Sequence, residues 1–135
     1  MNEQENVKAV ERIYAAFGQG DIPTILNMLA ENIDWLFPGP ADIPFAGRYR
    51  SREQVAQFFK IVGETIEVEQ FEPQKFIAKG DKVVVFGHER MRVKSNGRLC
   101  ETDWVHVFTL RNGKVVKIHE YYDTAAIVAA FRVVK

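Results

Sequence analysis

Residues 102–123 read TDWVHVFTLRNGKVVKIHEYYD, two alternating runs on either side of Asn112-Gly113, and their parity decides how the chain folds. Successive side chains of a strand point to opposite faces. Lys117 seeks water, which sends Val116, Ile118, Glu120 and Tyr122 together to the other, inner face. A three-residue loop of Arg111, Asn112 and Gly113, with Gly113 at positive φ in a bulged turn, pairs Phe108 with Val116, His106 with Ile118 and Trp104 with Glu120. One inner face then carries Trp104, His106, Glu120 and Tyr122. A two-residue turn on Asn112-Gly113 would instead oppose Phe108 to Lys117 and His106 to His119, mixing charge into both faces, so the bulged register is expected. The outer face of this hairpin presents Val105, Val107 and Val115. An exposed apolar patch of this kind usually meets a partner, and a homodimer through it is expected.

Upstream, the same period of two predicts strands near 65–78, 82–94 and 99–110, with the last run near 114–122; turns fall at Gly80-Asp81, Asn96-Gly97 and Asn112-Gly113. The strand from Lys82 to Lys94 sets Val83, Val85, Gly87, Glu89, Met91 and Val93 on one face. Glu89 therefore points inward, unless Gly87 marks a bulge and His88 takes its place. The first half of the chain is helical. Val7, Val10, Tyr14 and Phe17 recur at helical spacing over residues 3–18, and Gly18 and Gly20 end that segment. Asp21 caps a second helix with Pro23 in its first turn and Ile25, Leu26, Met28 and Leu29 as its buried side. Asn32 to Phe37 alternates as a short strand with Ile33, Trp35 and Phe37 on one face and Asp34 on the other. PGPADIPFAGRYR follows as a loop without regular structure. Ser51-Arg52-Glu53-Gln54 is a capping-box pattern opening a third helix with the stripe Val55, Phe58, Phe59 and Val62. TAAIVAAF after Asp123 makes a short C-terminal helix. Helices first and an antiparallel meander afterwards indicate an α+β domain with helices on one concave face of a curved sheet.

The whole chain sets limits on function. Its 135 residues suit one domain, residues 1–135. The 18 Lys and Arg balance 18 Asp and Glu, leaving no basic field for nucleic acid or a membrane surface. One cysteine, Cys100, makes no internal disulfide, the polar start MNEQENVKAVER has no apolar signal core, and no run approaches the ~20 apolar residues of a membrane span. A cytoplasmic protein is expected. Ten Phe, four Tyr and two Trp exceed the obvious needs of a small core and suggest a lined cavity.

Glu120 is the leading candidate for chemistry. A carboxylate on an apolar face loses hydration, so it must find donors or hold its proton, and either outcome suits general acid or base work near neutral pH. His106 shares the face, and a histidine beside a carboxylate is a common proton-transfer pair. Glu89, or His88 in its place, is a third member. The scattered histidines show no metal-ligand spacing, and there is no phosphate loop, nucleophile elbow or cysteine pair. No metal and no cofactor is implied.

These residues carry a family pattern. Gly20-Asp21-Ile22 after the first helix, Ile33-Asp34-Trp35 running into a Pro-Gly loop, Phe45-Ala46-Gly47 before the third helix, and the closing DWVHVFTLRNGK and EYYDTAAI together resemble the SnoaL-like branch of the nuclear transport factor two-like superfamily. The resemblance implies a conical α+β barrel of a strongly curved, mainly antiparallel sheet. Three helices pack on its concave face, a ligand pocket lies inside the cone, and assembly is usually dimeric through the sheet. Ketosteroid isomerase, SnoaL-type polyketide cyclases, scytalone dehydratase and limonene epoxide hydrolase share that fold. Measured from Gly20-Asp21, the isomerase's base falls at Phe37 and its oxyanion tyrosine near Ile13, so its own catalytic pair is not carried over. The epoxide hydrolase's final-strand Asp-Tyr-Phe-Asp lines up with Glu120-Tyr121-Tyr122-Asp123. Its earlier Arg-x-Asp meets Arg90-Met91-Arg92, which lacks the carboxylate.

The reading that follows is cofactor-independent proton transfer on a small, mainly apolar, carbonyl-bearing ligand, of isomerase, cyclase or lyase type. Glu120 and His106 are the acid/base pair, and Trp35, Phe37, Glu89, Trp104 and Tyr122 contact the substrate. A non-catalytic ligand-binding or dimerisation module on the same cone is the alternative, and fold alone does not choose between them.

Overall fold

The amphipathic N-terminal segment forms α1 (Glu3–Gly18), opened by a capping box in which the Asn2 side chain accepts from the Glu5 amide. The computed structural model describes residues 2–132. Asp21 caps α2 (Ile22–Asn27), and Pro23 sits in its first turn, where a missing N–H costs nothing. The chain then extends as β1 (Leu29–Phe37), with Ile33, Trp35 and Phe37 buried. The Pro-rich stretch is not wholly irregular, contrary to its composition. Gly47–Tyr49 forms β2, antiparallel to the end of β1 with Trp35 opposite Tyr49, because all three of its prolines lie before this segment. Ser51 caps α3 (Arg52–Thr65), and the Arg52 guanidinium donates to the Leu29 carbonyl at 2.8 and 2.9 Å, tying that helix to the start of β1.

The second half is the expected meander of β3 (Ile66–Lys79), β4 (Lys82–Val93), β5 (Leu99–Arg111) and β6 (Lys114–Tyr122), closed by α4 (Thr124–Phe131) under an Asp123 cap. The six strands lie in the order β2-β1-β6-β5-β4-β3. All neighbours are antiparallel except β1 and β6, where Trp35 lies beside Ile118 and Leu36 beside His119. The sheet is curved and mixed and does not close into a barrel, since β2 and β3 are its two edges. Helices α1 and α3 cover its concave side, and Val10, Ile25, Leu29, Ile33, Val55 and Phe108 are among the residues buried between the layers.

The register of the last hairpin corrects the sequence reading. The two-residue turn forms after all, with Arg111 opposite Lys114 and both Asn112 (φ 53°) and Gly113 (φ 79°) left-handed, the pair of angles that suits a tight hairpin. A bulge at Val116 then absorbs one residue, so Leu110 faces Val115 while Thr109 faces Lys117. His106 consequently lies opposite Glu120, Phe108 opposite Ile118 and Trp104 opposite Tyr122, each shifted from the expected partner. Val115, read as outward, is buried, with 1% exposure, and Val116 leaves the core. The bulge has the effect the turn was expected to have: it restores inward parity to Ile118 and Glu120.

Candidate functional site

Three neighbouring strands bring polar side chains to one point on the concave face. Glu89 on β4, His106 on β5 and Glu120 on β6 are 5%, 4% and 5% exposed, in an otherwise apolar layer. Glu89 rather than His88 turns inward because β4 pairs with β5 without interruption from Lys82 to Arg92, Gly87 included. His88 lies on the other face, 2.9 Å from Asp103.

The fourth and fifth members are tyrosines. Tyr14 reaches in from α1 and its hydroxyl lies 2.8 Å from His106 Nδ1. The Tyr122 hydroxyl donates to Glu89 Oε1 at 3.0 Å and lies 3.2 Å from His106 Nε2, while Glu120 Oε2 is 3.4 Å from that same nitrogen. The donor directions are consistent with one another. With Tyr122 donating to Glu89, its oxygen is free to accept from His106 Nε2–H, and in that tautomer Nδ1 accepts from the Tyr14 hydroxyl. A continuous line Tyr14, His106, Tyr122, Glu89 results, with Glu120 alongside its centre.

Burial controls the protons in this line. It raises Glu89 from 4.5 to about 7, helped by the charge of Glu120 and opposed by the Tyr122 hydrogen bond. Tyr14 is pushed well above the ordinary phenol range by burial and then by Glu120, and Tyr122 by burial and then by the two carboxylates. Both phenols therefore stay protonated and act as donors. Glu89 exchanges its proton near neutrality, the range in which general acid/base groups work.

The cluster faces a cavity of about 70 Å³ whose remaining lining includes Phe17, Trp35, Phe37, Phe45, Phe58, Phe59, Phe71 and Phe108. Phe17, Phe59, Val62, Val68 and Phe71 keep partial exposure and mark the side on which α1, α3 and β3 leave it open. No lysine or arginine lines it among the described residues. The Trp35 indole N–H is buried without an acceptor among those residues. No three His, Cys, Asp or Glu side chains among them are grouped to hold a metal ion.

Of the residues singled out from sequence, Glu120, His106, Glu89, Tyr122, Trp35 and Phe37 all line this cavity, and Phe37 stacks on Tyr122 with centroids 4.9 Å apart. Trp104 does not. It is buried behind His106, ring against ring. Tyr14 is the residue sequence reasoning missed, because its place in the stripe Val7, Val10, Tyr14, Phe17 marked it as core. The only signal was its hydroxyl, since a tyrosine on a buried stripe needs a hydrogen-bond partner.

Among the described residues, four helices against an open, curved six-stranded sheet, with a polar cluster in an aromatic cavity, define an α+β cone of the NTF2-like type. The SnoaL-like domain family matches residues 10–118, and the chain belongs to that family. An NTF2-like protein from Burkholderia xenovorans LB400 is 40% identical and superposes over 98% of this chain and 99% of that one with a TM-score of 0.90. An NTF2-like protein of unknown function from Burkholderia pseudomallei K96243 is 30% identical over 98% and 100% of the two chains, with a TM-score of 0.89. TerC, crystallised with polyporic acid, is 27% identical over 94% and 98%, with a TM-score of 0.82. No curated protein matches the sequence. Among the described residues no helix is long and apolar enough to cross a membrane.

Proposed function

We propose that this protein binds a small, mainly apolar, carbonyl-bearing molecule in the cone and moves a proton on it without a cofactor, as isomerases, cyclases and lyases do. One observation carries the reading: five polar side chains, spaced by hydrogen-bond distances, converge on the wall of a cavity that is otherwise aromatic and aliphatic. Burying five such groups costs stability that their mutual contacts only partly offset, and clusters of this kind concentrate at functional sites.

Glu120 is the base. It takes a proton from a carbon beside the carbonyl, the C–H electron pair moves into the new C=C bond, and the carbonyl π pair goes to the oxygen. His106, kept in one tautomer by Tyr14 and Tyr122, is the partner that carries a proton to or from the reacting atom. The absence of a lysine or arginine in the described lining favours a ligand that is neutral on entry, because an anion beside Glu120 and Glu89 would be buried without a counter-charge. Trp35 leaves an indole donor for a ligand oxygen. That TerC was crystallised with polyporic acid supports a small organic ligand in the cone and does not bear on its charge.

The alternative, a non-catalytic binding module, is favoured by the way Tyr14, His106, Tyr122 and Glu89 satisfy one another without a ligand. A paired assay separates the two. Glu120→Gln is nearly isosteric and keeps the fold and pocket, so turnover of a substrate found by screening neutral ketones drops by about two to four orders of magnitude while binding changes little. Equal turnover in both forms removes Glu120 from the mechanism. Ligand binding with no turnover in the wild type establishes the module.

A further inference from the structure

His106 makes its closest ring contact with Trp104, its neighbour two positions back on β5: the ring centroids are 3.9 Å apart and the planes are 17° from parallel. The indole is 2% exposed, and Phe71 of β3 stacks on it with centroids 5.0 Å apart and planes at 18°. Its N–H has no acceptor among the described residues, so ring contact and not hydrogen bonding holds it there. Opposite it on β4 stands Gly87. A Cβ at Gly87 would fall inside the Trp104 ring, on the atoms Cζ2, Cη2 and Cε2. Gly87 is buried and pairs without interruption with β5, and the register shift on its other side, at Pro73, adds its extra residue to β3 and not to β4; nor is Gly87 among the positive-φ glycines, so a turn conformation does not explain it.

Hydrogen bonds from the two sides fix where the imidazole nitrogens point, but a histidine hinges about χ2, a broad and nearly two-fold torsion. Rotation of the ring by half a turn would exchange Nδ1 and Nε2 with carbon positions and break the line from Tyr14 to Glu89. A flat surface pressed against one face of the imidazole blocks the out-of-plane passage that such a flip requires. We propose that Trp104 is a positioning residue whose indole locks the ring plane of His106, and that Gly87 is required because only a residue without Cβ leaves space for that indole. This deepens the proposed acid/base reading of the site and rests on it for its catalytic consequence, though not for its structural one.

The groups that face His106 are Tyr14 from α1, Tyr122 and Glu120 from β6, and Glu89 from β4 through Tyr122, with Phe71 and Phe108 as apolar neighbours. None of them lies flat and close against the ring as Trp104 does. Tyr14 is near parallel at 16°, yet its centroid is 5.9 Å away.

The test reads the imidazole directly, by nitrogen-15 and proton NMR of the intact chain labelled at histidine. In the wild type His106 gives one tautomer, a slowly exchanging Nε2–H signal and ring protons moved upfield by the indole. Trp104→Leu abolishes the upfield displacement, and the Nε2–H signal broadens or is lost as the ring gains freedom. Gly87→Ala keeps the indole and displaces it, and gives the same loss from the opposite side. Trp104→Phe retains a flat ring and rescues the Nε2–H signal. Where a substrate is in hand, both disruptive variants lose about 10-fold to 100-fold in kcat with little change in KM, the size expected when a reacting group is misplaced by about an ångström. A folded Trp104→Leu protein with the wild-type tautomer and an equally sharp Nε2–H overturns the proposal. If Trp104→Leu does not fold, Gly87→Ala with an unshifted, sharp His106 signal overturns it alone. Preserved ring order in the wild type with no turnover on any ketone would count against the acid/base reading and leave the locking role standing.

Discussion

Strands β4, β5 and β6 carry Glu89, His106 and Glu120 on their concave face, all about 5% exposed, and Phe86, Val105 and Tyr121 on their convex face, with Phe86 and Tyr121 exposed at 39% and 48%. Three titratable groups thus lie inside among apolar side chains, and two large aromatic rings lie outside among charged ones. On the concave side Tyr14, His106, Tyr122 and Glu89 are linked by hydrogen bonds of 2.8 to 3.2 Å, with Glu120 3.4 Å from His106 Nε2, in a medium where a lost partner is costly. On the convex side the ion pairs of Glu69 with Arg90 and Arg92 are solvent-facing and contribute little, while the row Phe86, Val105, Tyr121 gains only if another surface covers it. We propose that a second copy of the chain covers the convex row.

The largest expected effect on stability tests the inner face through Glu89. Its folded value of about 7 lies above the 4.5 of a solvated glutamate, so the contribution it makes is fully present below about pH 4.5 and is lost as pH rises through about 7. The gap corresponds to about 3 kcal/mol. Glu89→Gln cannot ionise, and between pH 4.5 and pH 8 its stability relative to wild type improves by that amount in urea unfolding. Parallel pH curves for the two proteins would mean that Glu89 is effectively solvated.

A smaller effect is expected one bond further along. Tyr122→Phe keeps the ring that stacks on Phe37 and removes the donor to Glu89, at a cost of about 1 to 3 kcal/mol. Because that hydrogen bond holds Glu89 down, the carboxyl shifts upward in the variant. Carbon-13 titration of the glutamate side chain checks the direction, and a fall would contradict the donor assignment.

The smallest effect belongs to the convex face. Phe86→Ser changes the stability of an isolated chain by less than about 0.5 kcal/mol, as for most surface positions. If two copies meet there, sedimentation at micromolar concentration gives a dimer for the wild type and a monomer for Phe86→Ser combined with Tyr121→Ser. A monomeric wild type would separate the apolar row from self-association.

Much of the inner face was legible in the sequence because strand parity is a strong constraint: Lys117 cannot be buried cheaply, so Ile118 and Glu120 must be. The detail that failed was the register. Val115 and Val116 have the same chemistry, and either could take the core position, so only the bulge at Val116 decided between them. Trp104 was placed correctly on the inner face but wrongly in role, since period-two alternation states which side a ring occupies and not whether it meets a cavity or another ring.

The sequence by itself determined the order of helices and strands apart from β2, the caps at Asp21, Ser51 and Asp123, the inward facing of Glu120 and His106, and membership of a family of cones. Those properties arise from neighbours a few residues apart, where φ/ψ preferences and burial periodicity act. The tertiary structure alone decided that Tyr14 meets His106 across 92 positions of chain, that Glu89 reaches the same cluster through Tyr122, and that Gly87 lies beneath Trp104. Such contacts depend on how a curved sheet brings distant segments within 3 Å of one another, a distance that no local spacing encodes.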